Sequence, residues 1–215
     1  MTHDRHPTDA AGDEPGASLD LWDYRLRVQQ IYSLARDGGS GEETWLAWRK
    51  ARDELFASHT QSAINPDNRA GFGVIPYFPY DPAWRLEVEA EPVTAEMVAI
   101  DHGGEAQTSF RKFGQVRFVV DGTQVSLSLY WLEGYGGGVF LPFRDSTSGR
   151  ETYLGGRYLL DTAKGADLGH HENHVVLDFN YAYNPSCAYS DRWSCPLAPV
   201  ENSMRLPVRA GERLV

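Results

Sequence analysis

Apolar residues recur every three or four positions early in the chain and every second position later. From Leu19 to Ala35 they fall at Leu21, Tyr24, Val28, Ile31, Tyr32 and Ala35, the spacing of a helix with one buried stripe. Asp37-Gly38-Gly39 ends it, and Ser40 with Glu43 is a capping-box signal for the next helix. That second helix carries Trp45, Trp48, Leu55 and Phe56 on one side and Arg49, Lys50, Asp53 and Glu54 on the other. Both helices are expected to cover a sheet. Asn65 to Pro82 reads as a loop, and its Pro76-Tyr77-Phe78-Pro79-Tyr80 segment is excluded from helix because proline lacks a donor and restricts its predecessor. It is expected to strap the core.

Beyond Pro82 the period is two. Trp84, Leu86, Val88 and Ala90 alternate with charged positions, as in a strand with one buried face, and Glu96 to Ile100 is a candidate to pair with it. Val116, Phe118 and Val120 lead into Asp121-Gly122, a type I′ turn signal, and Val125, Leu127, Leu129 and Trp131 return. Further strands are expected at Gly138–Phe143, Gly156–Asp161, Val175–Asp178 and Leu206–Arg209. About eight short strands with no βαβ alternation predict a mainly β fold, an antiparallel β-barrel or sandwich with two N-terminal helices packed on it. Residues 1–17 read as a disordered acidic tail. Residues 18–215 read as one domain, with a helical region at 18–60 and a β-rich core at 83–215.

A length of 215 residues allows a substantial single core, and 41% hydrophobic content with 12% aromatics excludes a wholly disordered chain. No window approaches 18 apolar residues, and the polar start lacks the apolar core of a secretion signal, so a cytoplasmic location is expected. The net charge of −10 opposes binding to nucleic acid or to an anionic membrane surface. Only Lys50, Lys112 and Lys164 are lysines, against 17 arginines. An acidic, lysine-poor surface suits a high-salt cytoplasm, and a coding bias towards arginine explains the skew equally well.

Candidate chemistry gathers in the C-terminal third. Arg144, Asp145, Arg157 and Asp178 supply guanidinium forks and carboxylates. Two arginines at a barrel mouth would hold an anionic group, with Thr147, Thr152 and Tyr153 adding hydroxyls. The competing reading is an internal network, Arg144 with Asp178 or Arg157 with Asp145. Asn180 and Tyr183 follow an expected strand and are candidates to face a ligand, whereas Asn184 before Pro185 suits a turn. Cys187 and Cys195 remain open between packed thiols, a disulfide, half of a metal site with His170 and His174, and a nucleophile at Cys187. The run His170-His171-Glu172-Asn173-His174 reads as a solvated loop. No phosphate-loop, dinucleotide or nucleophile-elbow motif occurs, so no cofactor is identified.

The words Phe143-Arg144-Asp145, Thr147-Ser148-Gly149, Glu151-Thr152-Tyr153, Gly156-Arg157-Tyr158, Asp178-Phe179-Asn180, Ala182-Tyr183-Asn184-Pro185, Cys187-Ala188-Tyr189, Cys195-Pro196-Leu197 and Ala210-Gly211-Glu212 are specific in combination. They resemble the bacterial and archaeal domain-of-unknown-function 1684 family. The tryptophan helix and the Tyr77-Phe78-Pro79 strap extend the resemblance over roughly Thr44 to Glu212. It implies a compact, mainly β domain and no particular activity. The histidine run looks like a local insertion, so a metal site there gains no support from the resemblance.

The leading expectation is a small-molecule-binding domain for an anionic or amphipathic ligand, anchored by Arg144 and Arg157 and oriented by Tyr153, Tyr183 and Asn180. The rivals are an enzyme using Cys187 as nucleophile or Asp145 as general base, and an interaction protein using the Trp45/Trp48 helix. Ligand identity and oligomeric state are not legible.

Overall fold

A computed structural model describes residues 15–214. The first helix, α1, spans Pro15–Asp37, so the three tail residues expected at Pro15–Ala17 form its first turn; the rest of that tail lies outside the described residues. Helix α2 spans Glu42–Ser58 and the single turn α3 spans Pro66–Arg69. The anticipated Ser40 cap is not made. Gly41 takes the N-cap position without a side-chain bond, and Glu42 and Glu43 place their charge in the first turn, where the helix dipole favours it.

The strands are β1 (Arg85–Asp101), β2 (Gln107–Val120), β3 (Thr123–Leu132), β4 (Val139–Phe143), β5 (Arg157–Asp161), β6 (His170–His171) and β7 (His174–Asp178). They form one antiparallel sheet in the order β5-β4-β3-β2-β1-β7-β6. The mainly β, antiparallel architecture with two N-terminal helices is as expected. Closure into a barrel is not, because the end strands β5 and β6 do not pair. The free edge of β5 meets the chain after β7 through the Tyr158–Tyr183 bridge, and β6 is only two residues long.

The β2–β3 hairpin turns where the pattern placed it. Asp121 and Gly122 both have positive φ, 49° and 73°, as a type I′ turn requires. Two expectations are corrected. Trp84–Glu91 and Glu96–Ile100 are not partners but parts of one strand: Arg85–Glu89 pairs with β7, and the remainder of β1 pairs with β2 across a register shift between Pro92 and Glu96. Pro92 has no N–H for the ladder, which accounts for the irregularity. Leu206–Arg209 is not a strand. Its backbone is bonded to distant groups instead: Val208 N–H donates to Asp145 Oδ1, the Val208 carbonyl accepts from Arg157, and the Leu206 carbonyl accepts from the Ser146 N–H.

One core lies on the sheet around Val116, Leu127, Leu129, Leu141, Phe143 and Phe179. A second joins both helices to the strap and the chain after β7 through Tyr32, Trp45, Trp48, Ile75, Tyr77 and Tyr181. Trp48 packs 4.7 Å from Tyr181 and 5.8 Å from Tyr77, while the Trp45 indole donates to the Asn180 carbonyl at 2.8 Å. Trp45 and Trp48 are 2% and 1% exposed, so the tryptophan stripe is core and offers no surface to a partner. Among the described residues, no helix is long and apolar enough to cross a membrane.

Candidate functional site

Helix α2 carries Arg52 on its buried face, on the same side as Trp48, Leu55 and Phe56. Its guanidinium donates from Nε and Nη2 to Glu212 Oε1, at 3.0 and 2.6 Å. Tyr77 donates its hydroxyl to the same oxygen, and Oε2 accepts from the Asn184 N–H at 2.7 Å and the Tyr189 hydroxyl at 2.6 Å. Burial works against the Arg52 charge, but the Glu212 carboxylate together with Tyr77, Tyr32 and Tyr189 more than offsets it and holds the guanidinium pKa well above its ordinary value. Gly211 delivers the carboxylate. Its φ is 79°, and a Cβ there would meet the Ala182 and Phe179 carbonyl oxygens at 2.6 and 2.7 Å.

Above this network lies a cavity of about 180 Å³, bounded by α1, α2, the turn after β5 and the segment from Tyr183 to Cys195. Its walls are aromatic and apolar, including Tyr24, Val28, Phe56, Tyr158 and Trp193. Four cations line it, Arg25, Arg52, Lys164 and Arg192, and among the described residues no aspartate or glutamate does. Arg52 and Lys164 are paired with the nearby carboxylates Glu212 and Asp161. Arg25 and Arg192 form no ion pair among the described residues. Arg192 lies over the Trp193 ring, 4.6 Å from its centroid, and donates to the Ser62 carbonyl. Burial grades the site: Tyr32, Arg52, Tyr158 and Asn184 are buried at its floor, whereas Arg25, Lys164, Arg192 and Ser194 are exposed at its mouth.

Two floor groups are unsatisfied. The Tyr32 hydroxyl and Asn184 Oδ1 are buried with no hydrogen-bond partner, although both side chains are only 2% exposed. Asn184 Nδ2 donates to the Arg213 carbonyl at 2.9 Å, which fixes Oδ1 as the unused acceptor. Burial pushes the Tyr32 phenol up, so it keeps its proton and can donate.

Of the ligand-binding residues read from the sequence, only Tyr183 lines this cavity. Arg157 is sealed instead, at 1% exposure: Nη2 donates to Asp145 Oδ2 and the Val208 carbonyl at 2.9 Å each, and Nη1 donates to the Ala210 and Glu212 carbonyls. Asp145 Oδ1 accepts from the Thr147 N–H and hydroxyl, and Thr147 is bonded to Thr152 at 2.9 Å. This is the internal Arg157–Asp145 network, which leaves Asp145 no approach for a general base. The other proposed pair, Arg144 with Asp178, is not formed. Arg144 Nε is buried without a partner, and Asp178 faces Arg85 at 3.7 Å. Asn180 is wholly buried and consumed by Asp81 and Asp178.

Both cysteines are reduced and half-buried. Hydrogen bonding from Cys195 and then Tyr153 outweighs burial and lowers the Cys187 thiol to about 7, while its neighbour pushes Cys195 up. The Tyr153 hydroxyl donates to Cys187 Sγ at 3.6 Å. No histidine stands among the groups that set the acidity of Cys187. His170 and His174 belong to an exposed hairpin rather than a loop, and among the described residues no three His, Cys, Asp or Glu side chains gather as metal ligands.

Arg52 and Glu212 escaped the sequence reading, although Arg52 falls four residues after Trp48 on the buried stripe. A cation at that register signals a buried counter-ion elsewhere. Arg25, Lys164 and Arg192 carry no comparable local signal, because their meeting depends on how α1 docks.

A family model described as "Protein of unknown function (DUF1684)" matches residues 70–213. The solution NMR structure of the uncharacterised protein from gene locus rrnAC0354 of Haloarcula marismortui is 37% identical, with a TM-score of 0.58, covering 80% of this chain and 93% of that one. No curated protein matches.

Proposed function

Since the chain belongs to the DUF1684 family, whose description assigns no activity, we propose a function from its own cavity: it binds a small anionic molecule between the helices and the sheet. The observation that carries this reading is the lining. Four cations and a set of aromatic walls converge on one cavity without a lining carboxylate among the described residues, in a chain of net charge −10. A protein this acidic gains nothing in solubility from grouping cations in a concave, partly apolar site, whereas an anion with an apolar body gains on both counts.

The roles divide by position. Arg25 and Arg192 meet the charge at the mouth, with Lys164 adding field despite its Asp161 partner. Tyr24, Phe56, Tyr158 and Trp193 bury the apolar body. Arg52 is held for structure by Glu212 and contributes its remaining donors. This moves the anchoring role from Arg144 and Arg157, proposed from the sequence, to side chains that reach the cavity.

The test is calorimetric titration of benzoate, as a small anionic probe, into the wild type and the Arg25→Glu/Arg192→Glu variant. Saturable binding, weakened at least about tenfold by the double charge reversal and weakened by added salt, supports the reading. Binding that ignores both changes contradicts it.

Thiol chemistry at Cys187 is a second reading with one observation behind it, the lowered pKa of a thiol whose neighbour Cys195 lines the cavity.

A further inference from the structure

We infer that the cavity selects a monocyclic acid bearing a hydrogen-bond donor, a hydroxyaryl carboxylate or its close equivalent, with the donor at the floor and the carboxylate at the mouth. The inference rests on the binding reading above and adds the size and the far end of the ligand.

Size comes first. A cavity of about 180 Å³ is small beside the roughly 300–1,000 Å³ of pockets for larger ligands, and an apolar cavity of about 150 Å³ is known to take a single benzene ring. One ring with two small substituents fills the space. A nucleotide, a bilayer lipid or a fused polycycle would extend beyond it. The flat walls supplied by Tyr24, Phe56, Tyr158 and Trp193 suit a ring.

The floor specifies the substituent away from the charge. Tyr32 and Asn184 are each 2% exposed, line the cavity and carry an unpartnered polar atom. Buried polar atoms are nearly always paired, so two orphans on one cavity floor call for a partner that arrives with the ligand. Asn184 Oδ1 accepts only, and the Asn184 Nδ2 donor is already given to the Arg213 carbonyl. The Tyr32 hydroxyl both accepts and donates. A ligand hydroxyl answers both: it donates to Oδ1 and accepts from the phenol. A plain aryl acid would leave both orphans buried, and sites built to bond a hydroxyl reject the analogue without one.

The charge at the opposite end follows from the burial gradient. Arg25 and Arg192 are exposed at the mouth, so the carboxylate stays partly hydrated and the ring is inserted with its hydroxyl leading.

The experiment titrates benzoate, 3-hydroxybenzoate, 4-hydroxybenzoate and phenol into the full chain, its Tyr32→Phe variant and its Arg25→Glu/Arg192→Glu variant. The expected result is that one hydroxybenzoate binds about tenfold or more tighter than benzoate, and that Tyr32→Phe shrinks this preference, read as the ratio of the two affinities. Tyr32→Phe removes an unpartnered hydroxyl and keeps the ring, so it should fold and melt no lower than wild type. A purely structural role for Tyr32 would leave the preference unmoved. If benzoate and both hydroxybenzoates bind alike, and all weaken with the double charge reversal, the floor inference is overturned while the anion-binding reading stands. If no acid binds, or binding is indifferent to the charge reversal, both fall.

Discussion

Arg52 and Glu212 meet inside the protein, the guanidinium giving Nε and Nη2 to one carboxylate oxygen, with side-chain exposures of 7% and 0%. They stand 160 residues apart in the chain, so the contact ties α2 to the C-terminal segment. Such a pair gives little net stability over an apolar replacement, but breaking it strands a charge.

Glu212→Gln should therefore cost about 3–5 kcal/mol, because Arg52 stays buried with its charge uncompensated. Adding Arg52→Met to Glu212→Gln should recover part of that loss, a coupling of at least about 1 kcal/mol in a double-mutant cycle. Urea unfolding of the four proteins gives the answer. Additive costs would show that the two side chains do not support one another.

Asp178 sets a pH dependence whose sign can be worked out. Burial raises its pKa above 3.8, against the pull of hydrogen bonds from Asn180 and the charge of Arg85. The folded protein thus holds this proton more tightly than the unfolded chain. That contribution to stability is full below the unfolded value and is lost as pH rises through the folded one. Asp178→Asn keeps an Oδ1 acceptor for Asn180 and carries no charge. It should be more stable than wild type at about pH 7, with the difference shrinking as both are acidified towards about pH 3.5. Denaturant midpoints across that range test it, and a pH-independent difference would count against the assignment.

Cys187 should alkylate as an activated thiol. Its reaction with iodoacetamide should rise with pH around a midpoint of about 7. Cys195→Ala should move the midpoint up towards the ordinary thiol value of about 8.5, since the neighbouring thiol is the main source of the shift. The midpoint belongs to the pair rather than to one sulfur alone. An ordinary profile in the wild type would remove the thiol reading.

Local rules made much of the fold legible. The period-two runs found the strands, and Asp121-Gly122 located the hairpin because its backbone demands are met by neighbours in the chain. Leu206–Arg209 misled the pattern because its backbone partners are the Ser146 N–H and the side chains of Asp145 and Arg157, which no window of local sequence contains. The strand Arg85–Asp101 was read as two segments, Trp84–Glu91 and Glu96–Ile100, yet pairing with β7 on one side and β2 on the other carries it through. At the site, Arg157 and Asp145 looked chemical because charged residues beside strand ends serve a buried network as well as a ligand. The cavity was illegible because it exists only once α1 lies across the turn after β5 and the segment around Arg192. Even so, Tyr32 and Asn184 were both flagged in the sequence, one as a buried helix position and the other as a turn residue.

The most direct measurement is chemical-shift mapping of isotope-labelled full-length protein titrated with 4-hydroxybenzoate. Saturable shifts should centre on Tyr32, Arg52, Asn184 and Trp193, and should weaken in Arg25→Glu/Arg192→Glu. Saturable shifts confined to the Arg144–Thr152 turn, or no saturable shifts at all, would contradict an anion site between the helices and the sheet.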